Sequence, residues 1–292
     1  MSFMNIIRMT GGLGNQMFQY ALYLNFIARG IECKFEDWTE YVDKSNARPI
    51  LLKDAFNIDY PAASLEEHTE FTDSYMDFYH RILRKLRGRK SREYAESTAN
   101  FDQAVLDKQN AYLTGYFQSE KYFKDVEDAV RKTFVFTDAV VTKSRQLVDY
   151  SSLNNPVSLH IRRGDYLEAE SIYGNICNDE YYIKAISYIN DNIPNPTYLV
   201  FSNDIPWVKD WCAKTADCIS FNYFVPENTT EETGYLDMCL MSNCKHNIIA
   251  NSSFSWWGAY LNQNPDKIVV APSKWNNVNN QKDIFSSWMT LV

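Results

Sequence analysis

The chain has 292 residues, of which 45% are hydrophobic and 23% charged, and its formal net charge is −8. That balance belongs to a folded globular protein and excludes a disordered or fibrous one, and the length suffices for two ordinary domains. The acidic surplus argues against a protein that wraps nucleic acid through clustered phosphate contacts, so no nucleic-acid partner is expected.

In chain order, an apolar strand at Ile6–Met9 passes through a Gly-rich turn into a helical pattern from about Gln16 to Arg29. A second strand follows near Ile31–Phe35, which makes the opening a βαβ unit. From Trp38 to Asn110 helix and loop signals mix, and a strand reading returns at Ala111–Phe117. Inside the mixed stretch lies the basic segment Arg81–Lys90, whose Leu and Ile positions give a helix one apolar face. It is either a solvated helix with a few buried leucines or a peripheral contact with an anionic membrane surface.

The second half is more regular. Strands at Val157–Arg162, Thr197–Ser202, Cys218–Phe221, Asn247–Ala250 and Lys267–Val270 alternate with helices at Asp179–Asn190, Pro206–Lys214, Glu231–Asn243 and Ser255–Asn262. Strict alternation of this kind builds a parallel sheet, with ligands at the strand C-terminal ends. The polar stretch Ser151–Pro156 marks the expected boundary between a domain of residues 1–152 and one of residues 153–292.

Six cysteines stand without a CxxC pair or a His at zinc-ligand spacing, and are expected to be reduced. There is no signal-type apolar region and no apolar run of about 18 residues, so the chain is expected in the cytoplasm. The aromatic share of 15% suits packing against sugar rings as well as an aromatic core.

Four strand ends carry polar motifs. In Gly11-Gly12-Leu13-Gly14-Asn15-Gln16 the glycines open a helix whose N–H groups can face a sugar diphosphate. A plain strand-to-helix turn explains the same residues. The dinucleotide fingerprint is incomplete because Met17 stands where its third Gly or Ala belongs, although Glu36 or Asp37 sits where a ribose carboxylate would, so an NAD(P)-binding oxidoreductase stays open. His160-Ile161-Arg162-Arg163-Gly164-Asp165 ends a half-buried strand. Here Arg162 can stabilise charge on a leaving diphosphate and Asp165 can accept a proton from an attacking hydroxyl, while a surface salt bridge is the plainer alternative. Asn203 and Asp204 offer amide and carboxylate groups to guanine or ribose edges, or Asp204 simply caps the next helix. Ser252, Ser253, Phe254 and Ser255 bring hydroxyls and helix-start N–H groups to where a phosphate can sit, with Trp256 and Trp257 beneath. No Asp-x-Asp motif is present, which predicts that Arg and helix termini, not a metal ion, face the diphosphate.

Taken together, GGLGNQMFQYA, HIRRGDY and NSSFSWWGAYL resemble the α-1,2-fucosyltransferases, glycosyltransferase family 11, in family order and from Ile6 to the Pro272–Trp275 region. The resemblance implies a GT-B-like fold of two Rossmann-like lobes, with the active site in the cleft between them and the donor held mainly by the C-terminal lobe. It implies GDP-β-L-fucose as donor substrate, no cofactor, and inverting transfer to the 2-hydroxyl of a terminal β-galactoside in polysaccharide or oligosaccharide synthesis. On the matching positions, Arg162 binds the diphosphate, and the proton of the acceptor hydroxyl goes either to Asp165 beside it or to a displaced diphosphate oxygen. His160, Arg163, Asn203, Asp204 and Ser252–Ser255 hold the donor, with loop bracing as the alternative for Arg163, and Gly12, Gly14, Asn15 and Gln16 face the donor sugar or acceptor. A non-catalytic carbohydrate-binding module is the third reading, but it leaves the Arg cluster without a role.

Overall fold

Parallel strands alternating with helices build two units in the computed structural model, which describes residues 4–37, 48–73, 78–86, 88, 91–164, 166, 169–227 and 229–292. Unit 1 comprises Met1–Ile50 and Ile58–Thr133; unit 2 comprises Leu51–Asn57 and Phe134–Val292.

In unit 1, β1 (Met4–Arg8), α1 (Leu13–Ala28), β2 (Glu32–Glu36), α2 (Leu65–Phe71), α3 (Phe78–Leu86), β3 (Glu93–Ala95), β4 (Tyr112–Thr114) and α4 (Glu127–Thr133) follow one another. The four strands pair in the order β2-β1-β4-β3, all parallel. Helix α1 forms because Leu13, Met17, Phe18, Ala21, Leu22 and Phe26 recur at helical spacing, and all six are buried. It stops at Gly30, which takes φ 73°. There the Ile31 N–H reaches the Phe26 carbonyl and the Gly30 N–H the Ile27 carbonyl, both at 2.9 Å, the two bonds of a Schellman cap. Ser64 and Glu67 close a reciprocal capping box at the start of α2.

Unit 2 runs through α5 (Asp138–Leu147), β5 (Pro156–Ile161), α6 (Asp179–Asn192), β6 (Thr197–Ser202), α7 (Ile205–Ala216), β7 (Asn222–Phe224), α8 (Tyr235–Ser242), β8 (His246–Ile248), α9 (Ser253–Leu261), β9 (Val269–Ala271) and β10 (Met289–Leu291). The unit begins before the polar stretch at Ser151–Pro156 because α5 packs on α8. The short segment 51–57 joins it as well. Phe56 meets Phe134 and Phe136 at ring-centroid distances of 5.3 and 4.8 Å, and the Thr137 N–H donates to the Ala55 carbonyl at 3.1 Å.

The six strands lie in the order β10-β9-β8-β5-β6-β7, all parallel. Counted from β5, the chain moves outward to β7 and then returns to the other side of β5 at β8. The strand order therefore reverses between β5 and β8, and such a switch point is where open parallel sheets bind ligands at the strand C-terminal ends. On one face Val157, Leu159 and Ile161 pack with Tyr182, Ile186, Ile189 and Trp211. On the other, Leu199 and Phe201 pack with Leu240 and Met241. Beneath the switch point, the buried Asn247 amide donates to Ser158 Oγ at 2.7 Å and to the Met241 carbonyl at 2.9 Å, and accepts from Asn262 Nδ2 at 2.8 Å. A fully satisfied buried network of this kind holds β5, β8 and α9 in register.

Candidate active site

At the end of β5, His160 is buried, and its backbone carbonyl accepts the Tyr182 hydroxyl at 3.0 Å. Its Nδ1 has no hydrogen-bond partner among the described residues. Burial, reinforced by the charge of Arg162, pushes its pKa down to about 3, so the imidazole is neutral at any working pH. Arg162 is half-buried and lies 5.6 Å over the Tyr166 ring, while the Tyr166 hydroxyl donates to the Asn251 carbonyl at 2.8 Å. The His160 and Phe254 rings are 5.6 Å apart. The motifs that end β5 and β8 thus touch across the switch point.

Arg163 points elsewhere. Its guanidinium stacks 3.8 Å over Trp207, its Nε donates to Asp204 Oδ2 at 3.2 Å, and its backbone N–H donates to Asn203 Oδ1 at 2.9 Å. Asp204 also caps α7 by accepting the Trp207 N–H at 3.2 Å, with Pro206 in the first turn. These three side chains brace the β5 and β6 ends against each other. Gly164 suits that brace: it takes φ 57°, and a Cβ there would collide with Asn203 Nδ2. Asp165 lies outside the described residues.

Ser252 precedes the first turn of α9 and makes no side-chain cap bond to it. Ser252 and Ser255 are buried, and Ser255 Oγ turns back to the Ala250 and Ser252 carbonyls at 3.4 and 3.3 Å. Ser253 and Phe254 are half-buried. Trp256 and Trp257 pack beneath, fully buried, with Trp256 Nε1 donating to the Ile284 carbonyl at 2.8 Å.

One residue of this edge escaped the sequence reading. Because α8 feeds directly into the parallel strand β8, it runs against the strand direction, and its first turn comes to the same sheet edge as Arg162 and Ser252. Asp237 sits in that turn. Its Oδ2 accepts the Thr229 hydroxyl at 2.9 Å, while Oδ1 is buried and has no partner among the described residues. Burial raises its pKa to about 7, with the Thr229 bond opposing. The available signal was one acidic residue in a run, Leu236 and Met238–Met241, that is otherwise wholly buried.

A separate polar recess of about 490 Å³ opens along the C-terminal ends of β9 and β10, lined among others by Asn178, Lys184, Ser273, Lys274 and Asn277.

In unit 1 the Gly-rich turn is knitted by amides. Gln16 Nε2 donates to the Gly11 and Pro49 carbonyls at 2.8 and 2.9 Å, Gln118 Nε2 donates to Asn15 Oδ1 at 2.7 Å, and Gln19 links Thr10 to Gly115. Gly11 takes φ 78°, and a Cβ there would stand 2.5 Å from the Asn15 amide. Gly14 and Gln16 are buried, Asn15 is half-buried and Gly12 is exposed. Glu36 is fully buried and accepts the Tyr112 hydroxyl at 2.7 Å, and Asp37 accepts that of Tyr60 at 2.8 Å.

Among the described residues no group of three or more His, Cys, Asp or Glu could hold a metal ion, and no helix is long and apolar enough to cross a membrane.

Two parallel α/β units of this kind form a GT-B-like glycosyltransferase fold. A NodZ α-1,6-fucosyltransferase co-crystallized with GDP matches with a TM-score of 0.52 at 12% identity, over 89% of this chain and 93% of that one. POFUT1 in complex with GDP matches at 0.55 and 11% identity, over 92% and 98%. The family model for glycosyl transferase family 11 matches residues 1–291, and the chain belongs to that family. An Escherichia coli α-1,2-colitosyltransferase is 33% identical over 92% of this chain and 91% of its own length. The O-antigen biosynthesis glycosyltransferase WbnK of Escherichia coli is 34% identical over 97% and 99%. Galactoside α-(1,2)-fucosyltransferase 1 of Alouatta belzebul is 24% identical over 86% of this chain and 63% of its own.

Proposed function

We propose that the protein transfers L-fucose from GDP-β-L-fucose to the 2-hydroxyl of a terminal β-galactoside, with inversion and without a metal ion. The observation that carries this reading is that the topology brings Arg162, the start of α9 and the first turn of α8 with Asp237 to the same edge of the sheet in a family 11 chain. Arg162 and the α9 N–H groups face the diphosphate, and the neutral His160 fills the floor between them. Asp237 is suited to the N1–H and N2–H2 donors of guanine, because its Oδ1 has no partner among the described residues whereas Asp204 is committed to Arg163 and to its cap. In the reaction the acceptor O2–H proton passes to Asp165, the O2–C1 bond forms, and the C1–O bond breaks with its electron pair going to the diphosphate. Arg162 stabilises the charge that builds there. Gly12 and Asn15 are the members of the Gly-rich turn open to the donor sugar or acceptor. The division of labour proposed is donor binding on the C-terminal side, residues 153–292, and acceptor handling within 1–152.

The colitosyltransferase relative favours GDP-colitose as a second donor, since colitose is L-fucose lacking its 3-hydroxyl. The deciding experiment supplies GDP-fucose and GDP-colitose separately to lactose in the presence of EDTA, following GDP release and product linkage. An α-1,2-fucosylated product supports the main reading, and transfer of colitose alone reassigns the donor. Loss of all turnover on chelation removes metal independence. Asp165→Asn is expected to keep GDP affinity and lose most transfer; unchanged turnover dismisses it as the base.

A further inference from the structure

Helix α3 (Phe78–Leu86) turns its apolar face outward. At helical spacing Phe78, Ile82 and Leu86 form one stripe with Tyr79 beside it, and the four are 80%, 41%, 77% and 65% exposed in that order. A globular helix of such pattern ordinarily packs that stripe into its own core. Arg81 and Lys85, one turn apart along the flank of the stripe, are also exposed. In the sequence, seven of the chain's 29 Lys and Arg fall between Phe78 and Arg92, with no Asp or Glu among them, in a protein whose net charge is −8.

The geometry points to α3 as an interfacial helix that lays Phe78, Tyr79, Ile82 and Leu86 into an anionic lipid surface, with Arg81 and Lys85 at the headgroups. Charge selects this occupant. An apolar stripe flanked by cations matches the boundary between acyl chains and negative headgroups, where aromatic rings also sit well. A second copy docking α3 against α3 would instead face each Arg81 and Lys85 with cations of the same tract.

The test is flotation of the full chain with vesicles of pure phosphatidylcholine or of phosphatidylcholine with phosphatidylglycerol, at low and high salt. Binding is expected only to the anionic vesicles and is expected to fall with salt. Each cation near such a surface is worth about fivefold in partition, so Arg81→Glu with Lys85→Glu should lower binding about twentyfold or more. Phe78→Ser with Leu86→Ser should abolish binding even at low salt. Both variants alter exposed positions, so their melting temperatures and their transfer to a soluble galactoside without vesicles should match the parent. That keeps a failure here separate from a failure of the donor reading. The inference is overturned if the parent ignores anionic vesicles or if neither variant changes its binding. It is also overturned if light scattering finds a dimer that Phe78→Ser with Leu86→Ser dissolves, which would make a second copy the occupant.

Discussion

If Asp237 receives the guanine of the donor, its ionisation must be linked to binding in a way that pH exposes. The free carboxyl has its pKa raised to about 7 by burial, and pairing with two N–H donors stabilises only the ionised form. Donor affinity should therefore be level above neutrality and fall on acidification, approaching tenfold per pH unit, which amounts to about thirtyfold between pH 8 and pH 5.5. His160 contributes nothing to this slope because it is neutral throughout. The ligand to titrate is GDP-fucose, whose outer phosphate is esterified and does not ionise near neutrality, and the assay is calorimetry across that range. Asp237→Asn should flatten the profile and weaken binding at pH 8. Stability moves the other way. A carboxyl whose folded pKa lies above its unfolded value makes the folded state lose stability as pH rises from about 4 to about 7, by on the order of 4 kcal/mol in all. The near-isosteric Asn removes that loss, so at pH 8 the variant should melt several degrees higher while binding donor less well. A parent with pH-independent affinity, or a variant that binds normally, would refute the assignment of Asp237 to the guanine.

The remaining predictions concern the ends of β5 and β6. Arg162→Ala should weaken GDP binding and lower turnover together, by about 100-fold or more in kcat/KM, and normal GDP affinity would count against its diphosphate role. Arg163→Ala and Asp204→Ala should each weaken donor binding indirectly, and a double-mutant cycle on melting free energy should show coupling of about 1 kcal/mol, the worth of a partly exposed charge-assisted pair. Additive effects would show that the brace is not a unit. Gly164→Ala should destabilise by about 1–2 kcal/mol from its left-handed backbone alone, and should displace Asn203 as well, visible as lost GDP affinity at temperatures where the protein is still folded.

What could be read from the residues, and what could not, divides by the range of the forces involved. β1, α1, β5, α6 and β6 were legible because each carries its own apolar period and its own stop, as Gly30 does for α1. The strand expected at Cys218–Phe221 lies instead at Asn222–Phe224. The end of α7 extends through a Cys218 N–H to Thr215 carbonyl bond, and Phe221 packs from a loop onto Tyr198 and Trp211. β3 and β10 are three-residue strands at the edges of their sheets, with no buried side chain and too short to set a period, and only a neighbouring strand defines them. The same distinction separates the candidate site residues. Arg162 and Ser252–Ser255 were visible because a polar motif directly ends or follows an apolar strand. Asp204 was visible too, but with two readings, and only the position of Arg163 shows which bonds it makes. Asp237 has no motif around it. It becomes a candidate site residue because α8 runs against β8 and returns its first turn to the edge where β5 and β8 end, and that follows from chain topology alone.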